Sequence, residues 1–321
     1  MSAGSTERPA IGLAAGLAPF RRMILRGRRG AADISKLAVA VVALVAVIAL
    51  GGWGLARALG PVFAPPSLSL GTSVWAVGDG GDGSAGAKRL ARVIDKGRID
   101  RFLYLGDVYE HGSPQDFARR YAPVFGKLAP LTSPTPGNHE WAARARGYYP
   151  YWRRAHRRPP RPYYAFRLKG WEVLSLNSEA AHGSASPQLR WLTERLRRGP
   201  RGNCRIAFWH RPRFSAGTTH GDQPDIEPLW AALRGRAALV LNGHDHNSQR
   251  LLPRDGIVEL VAGAARGGEP LYPLRSDPRL AFGNDDDLTA LRLELRPRHA
   301  RFAFVSADGR TLDSGTVPCS Q

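Results

Sequence analysis

The chain reads as an α/β (α+β) protein, a two-sheet β-sandwich flanked by helices, preceded by an N-terminal transmembrane helix. Three observations predict this. From Ser73 to His246, short apolar runs alternate with helical patterns, as in strand–helix–strand units. From Ile257 to Val317 the pattern is almost all strand, so sheet accumulates without intervening helices. Ahead of both, Leu37 to Ala56 is an uncharged apolar run bracketed by Lys36 and Arg57. At helical rise it spans the hydrocarbon core of a bilayer, about 30 Å.

Taken in order, residues 1–36 form a basic tail with seven Lys/Arg against two Asp/Glu. No charge follows Arg57 until Asp79, so the positive-inside rule puts the tail in the cytoplasm and the remainder outside. Residues 37–57 are read as an uncleaved signal anchor in the cell membrane, because no small-x-small cleavage site follows. The alternative is export through a twin-arginine signal, Arg21-Arg22-Met23-Ile24-Leu25. Residues 58–72, with Pro61, Pro65 and Pro66, read as a linker, and 73–321 as one domain.

Within that domain, Val74–Val77 and Phe102–Leu105 are buried strands, with a helix between Gly86 and Gly97. Pro114 opens a helix to about Lys127, and Leu131–Pro136 leads into Gly137-Asn138-His139-Glu140. Trp141 to His156 reads as one helical stretch. Its aromatics and arginines suit either packing over a site rim or stacking on a partner. Tyr163–Leu168 and Trp171–Leu176 flank Lys169-Gly170 as a hairpin. Pro187–Arg198 is a helix, Arg205–Trp209 a strand, Pro228–Arg234 a short helix, and Ala237–Leu241 a buried strand. Four strand-like runs close the chain: Ile257–Ala262, Leu288–Leu295, Arg301–Val305 and Arg310–Val317.

The formal net charge is +19, from 46 Lys+Arg and 27 Asp+Glu. Only five basic residues are lysines, and no long basic run occurs, so no specific nucleic-acid partner is expected. Cys204 and Cys319 are too few for a disulfide scaffold and fit no zinc spacing. In an exported domain a single bridge between them would tie the tail to a core strand; otherwise they are free thiols.

The chemistry lies at the strand ends. Asp79, Asp107, Asn138 with His139, His210, and His244 with His246 each follow an apolar run. Parallel strands bring their carboxyl ends to one edge, where open α/β sheets place ligands. These donors sort into two metal sites. Asp107 is shared, with Asp79 and His246 on one side and Asn138, His210 and His244 on the other. Mixed oxygen and imidazole donors suit two divalent or trivalent transition-metal ions (Fe, Mn or Zn) rather than calcium.

Gly78-Asp79, Gly106-Asp107, Gly137-Asn138-His139-Glu140, Trp209-His210 and Gly243-His244-Asp245-His246 stand in the order of the calcineurin-like metallophosphoesterases. The stretch from Val74 to Val261 resembles that superfamily. Asp79-Gly80-Gly81 lacks the first-motif histidine, as in the purple acid phosphatase branch, and the chain is similar to bacterial single-domain relatives of those enzymes. The resemblance implies Tyr109 as a ligand, although Asp107-Val108-Tyr109 places it one residue early and Glu110 fills the usual position. It also implies substrate-side roles for His139 and His220, as proton donors or phosphate contacts. Asp245 is not expected to be a ligand.

The expected function is hydrolysis of phosphate monoesters on a phosphorylated small-molecule substrate at a dinuclear metal centre. Two alternatives stay open: a phosphodiesterase or nuclease on the same fold, and a non-catalytic, membrane-tethered binding protein.

Overall fold

A computed structural model of the chain describes residues 71–157, 161–199 and 201–320. The basic tail, the transmembrane span and the linker up to residue 70 lie outside the described residues. Among the described residues, no helix is long and apolar enough to cross a membrane. The first strand begins at Thr72, the last residue of the expected linker.

Two mixed sheets form the sandwich. The first has six strands, β13-β12-β11-β1-β2-β3, and the second seven, β10-β8-β9-β7-β6-β5-β4. In the first, β1 (Thr72–Val77), β2 (Arg101–Tyr104) and β3 (Thr132–Pro134) run parallel. An antiparallel meander continues from β1 through β11 (Thr289–Arg296), β12 (His299–Ser306) and β13 (Thr311–Pro318), each strand antiparallel to the one before. In the second, β5 (Trp171–Ser175), β6 (Arg205–Phe208), β7 (Leu239–Asn242) and β9 (Val258–Ala262) are parallel. Antiparallel edges are added by β4 (Tyr164–Leu168), β8 (Ser248–Leu251) and β10 (Leu280–Asn284).

Side-chain alternation decides what each face meets. Val74, Ala76 and Leu103 of the first sheet pack against Ile206, Phe208, Leu239, Leu241 and Leu260 of the second. Trp75, Val77, Phe102 and Tyr104 turn outward under helix α1 (Ala85–Lys96) and a helical run over 114–131. Leu174, Ala207 and Val240 turn outward under α4 (Pro187–Arg198) and α5 (Glu227–Leu233). Helix α1 starts at Ser84, whose hydroxyl accepts from Ala87 N at 3.1 Å, and buries Leu90 and Ile94. Ser186 caps α4 in the same way, with Pro187 at its first position.

One expected helix is broken. The 141–156 stretch is α2 (Asn138–Trp141), a run of turns, and then α3 (Tyr148–His156). The Arg144 guanidinium donates to the Trp141 carbonyl at 2.7 Å and lies 4.1 Å over its ring, taking an acceptor the helix needs. Tyr148, Tyr151 and Trp152 of α3 join Phe117 and Tyr121 in the outer core, so these aromatics pack rather than await bases.

The bridge between Cys204 and Cys319 is formed. It joins the start of β6 to the tail after β13, and so ties one sheet to the other.

Candidate metal centre

The carboxyl ends of β1, β2, β3, β6 and β7 meet at one edge of the sandwich, and every residue expected in the metal set is there. Each carboxylate has one oxygen held and one turned inward. Asp79 Oδ2 accepts from His244 N at 2.8 Å, and Asp107 Oδ1 accepts from His139 N at 3.0 Å. The inward oxygens, with His210, form a buried cluster whose donor atoms all lie within 4.8 Å of one another.

Two overlapping quartets result. In the first, the Tyr109 hydroxyl lies 2.9 Å from His246 Nε2, 3.2 Å from Asp79 Oδ1 and 3.4 Å from Asp107 Oδ2. In the second, His210 Nε2 lies 3.0 Å from Asn138 Oδ1, 3.2 Å from His244 Nδ1 and 3.3 Å from Asp107 Oδ2. Asp107 Oδ2 belongs to both. Although Tyr109 comes one residue early in sequence, its hydroxyl sits among these donors. The Arg266 guanidinium lies 3.9 Å over its ring, and the His139 ring meets it edge-on at 4.5 Å.

The histidines are oriented from behind. His210 Nδ1 donates to Leu105 O at 2.9 Å, which fixes the tautomer and aims Nε2 inward. Burial pushes His246 down to about 3 and holds His244 well below the ordinary histidine range, so both are neutral lone-pair donors. Burial opposes a charge on His210 too, but Asp107 beside it raises it to about 10. Of the two carboxyls, burial lifts Asp79 to about 8, while His210 holds Asp107 at about 2 against its own burial. Asp79 and His210 each keep a proton that a bound cation would replace, and with Asp107, the phenol and the two neutral imidazoles they make a converging set of oxygen and nitrogen donors. Cations preferring mixed oxygen and nitrogen ligands fit it.

Several contributors are not legible from spacing. Glu140 is fully buried, and its carboxylate accepts from Asp107 N at 3.1 Å and Val108 N at 3.0 Å, pinning the β2 end; burial raises it to about 8. Tyr272 stacks on His246 at 4.1 Å. Asp245 turns away from the donors to accept from the Ser215 hydroxyl, and so braces the segment that carries His220.

His139 and His220 occupy different places. His139 Nδ1 donates to Glu110 O at 2.6 Å, and its Nε2 lies 3.8 Å from Asp107 Oδ2. His220 is exposed and stacked on His244 at 4.0 Å, at the mouth of the centre. Arg211, paired with Glu179 at 2.8 Å, brings Nη1 to 3.3 Å from His244 Nε2.

A two-sheet sandwich that gathers Asp, Asn and His donors at its parallel strand ends is a metallophosphoesterase scaffold. The chain belongs to the calcineurin-like phosphoesterase family, whose profile matches residues 72–248. It is 26% identical over 275 residues to mouse tartrate-resistant acid phosphatase type 5, covering 73% of this chain and 83% of that protein. The human counterpart is 24% identical over the same length. Among solved structures, yellow lupin purple acid phosphatase PPD1 shares the fold, with a TM-score of 0.64 and 16% identity over 77% of this chain. The chain spans about half that plant enzyme, 53% of its length. A Plasmodium protein described as GAP50, the anchor in the inner membrane complex, gives a TM-score of 0.65 at 15% identity. That match covers 78% of this chain and 90% of that one.

Proposed function

We propose that the chain is a dinuclear metal-dependent phosphomonoesterase. The observation that carries this reading is the meeting of two donor quartets at Asp107 Oδ2. Asp79, Asp107, Tyr109 and His246 would hold one ion, and Asp107, Asn138, His210 and His244 the other. When bound, such a pair of ions supplies Lewis acidity toward phosphoryl oxygens and lowers the pKa of water. Asn138 gives its quartet a neutral oxygen donor in place of a second carboxylate, which leaves that side more positive toward phosphate. Arg211, held by Glu179 beside His244, faces the same anion. Glu110 O keeps the Nδ1 proton of His139, so it is in the imidazolium form that the ring hands its Nε2 proton to the leaving oxygen and is left as the Nδ1–H tautomer. His220, over His244 at the mouth, contacts a phosphate oxygen or shares the proton transfer.

The similarity to proteins named acid phosphatases supports the monoester reading over the diester one. Assays of p-nitrophenyl phosphate beside its bis-ester test this, and a preference for the bis-ester would favour a phosphodiesterase. Asp107→Asn is expected to lower turnover by about 1,000-fold or more and to release metal. Full metal content with retained activity would remove the two-metal assignment. We place the domain outside the cell membrane, anchored by 37–57, on the sequence pattern alone. A second reading, a non-catalytic tethered protein, is supported by the likeness in fold to GAP50, the anchor in the inner membrane complex of Plasmodium. It predicts negligible bound transition metal.

A further inference from the structure

A cavity of about 510 Å³ opens beside the centre, with Asn138 and His139 on its wall. If His139 Nε2 delivers the proton, the leaving group of a bound phosphomonoester lies here, so a role for this cavity rests on the phosphomonoesterase reading. Ala142 and Ala143 form part of the wall, and no Phe, Tyr or Trp ring lines it among the described residues. His111 is the other ring beside His139 on the wall among the described residues, so the cavity offers a nucleobase no large apolar face to stack on and leaves room for a short aliphatic group.

The charges on the wall are unequal. Glu110 is engaged by Arg120 at 3.1 Å and lies 3.5 Å from Arg266, so its carboxylate is offset. Arg144, in the same segment but not on the wall, is spent on Trp141. Arg146 also lines the cavity and, among the described residues, has no carboxylate within ion-pair distance. An unpaired guanidinium there can grip a carboxylate with two parallel hydrogen bonds.

We propose that this cavity is the leaving-group subsite and that Arg146 makes it select phosphate esters of short aliphatic hydroxy acids. Arg146 is a specificity residue; it binds the far end of the leaving group and takes no part in proton transfer.

Two matched pairs test this on the metal-loaded full chain. 3-Phosphonopropionate and propylphosphonate, which cannot be hydrolysed, are compared by titration calorimetry. 3-Phosphoglycerate and glycerol 3-phosphate are compared by kcat/KM. The carboxylate member of each pair is expected to be favoured about tenfold, the effect of one charge-assisted contact. In Arg146→Gln both ratios fall to about one, through Kd and KM rather than kcat, and Arg146→Lys restores part of each. An Arg146→Gln variant that keeps the wild-type ratios overturns the proposal, as does a wild-type protein that binds the phosphonates alike. If the wild type turns over no phosphomonoester, the phosphatase reading falls, and the phosphonate titrations still decide the subsite.

Discussion

Asp79, Asp107 and His244 all carry positive φ, at 65°, 69° and 70°. Non-glycine residues rarely sit there, and each such backbone costs of order 1–3 kcal/mol. The cost falls on the residues that must turn a side chain back across a strand end, so strain and donor geometry coincide. That these side chains converge was legible because a polar residue directly after an apolar strand is a local signal. Glu140, Arg266 and Tyr272 were not, because their partners lie far along the chain. Glu259 shows the same limit. In β9 it alternates with Val258 and Leu260, which face the core between the sheets, so it lies on the opposite face. That face is covered by the segment after His210, and Glu259 accepts from Arg213 N at 2.8 Å and Phe214 N at 3.1 Å. Burial raises it to about 8. The folded state therefore holds a proton that the unfolded chain releases near pH 4.5. The associated stability is complete below that point and is lost as pH rises through 8. Glu259→Gln cannot ionise, and its amide nitrogen cannot accept the second backbone N–H as the acid's hydroxyl oxygen can. It should be less stable than wild type by about 1 kcal/mol at pH 4.5 and equal or more stable by pH 8.5. Urea unfolding at both pH values reads this, and a difference independent of pH would show that Glu259 does not change charge on folding.

At the scale of elements, the donors converge because two strand ends touch. A Cβ on Gly243 would meet Asp79 Oδ2 at 2.7 Å, and one on Gly78 would meet the Gly243 Cα at 2.7 Å. The glycine before His244 reads as a turn residue in the sequence; in the structure its job is the close approach of β7 to β1, across the two sheets. Gly243→Ala is expected to push Asp79 off its place while leaving both sheets intact. Turnover and metal content should fall by about 100-fold, with a stability loss of about 1–3 kcal/mol and an unchanged far-ultraviolet circular dichroism spectrum. Wild-type metal affinity in this variant would mean that the strand ends have slack. Helices with both a cap and a stripe, such as α1 and α4, were readable almost to the residue. Strands β8 and β10 escaped, since Ser-Gln-Arg-Leu has a single apolar residue and Leu-Ala-Phe-Gly-Asn is short and ends in turn-forming Gly-Asn. They exist because β9 and the chain after the metal loop offer them partners.

At the scale of the molecule, the two-sheet layering followed from the change of pattern along the chain, but the strand order did not. That β11 returns to pair with β1, across more than half of the domain, depends on which apolar face finds which, and no local signal encodes it. The disulfide is the covalent counterpart of that long-range closure. Cys204 precedes β6, at the end opposite His210, and Cys319 follows β13. The bridge thus fastens the two sheets at the edge away from the metal donors. Its ends are 115 residues apart, and chain-entropy reasoning gives a loop of that size about 4–5 kcal/mol of stabilisation. For a domain of this length, replacing both cysteines by serine should lower Tm by roughly 10 °C. Metal content and turnover at 25 °C should survive, because Leu105 O, Glu140 and the strand-end glycines position the centre without help from the staple. Thermal unfolding of the double variant, with metal analysis on the same sample, checks both parts. An unchanged Tm would mean that the packed interface between the sheets already supplies the closure. Loss of metal without unfolding would mean that the far edge of the sandwich controls the near one.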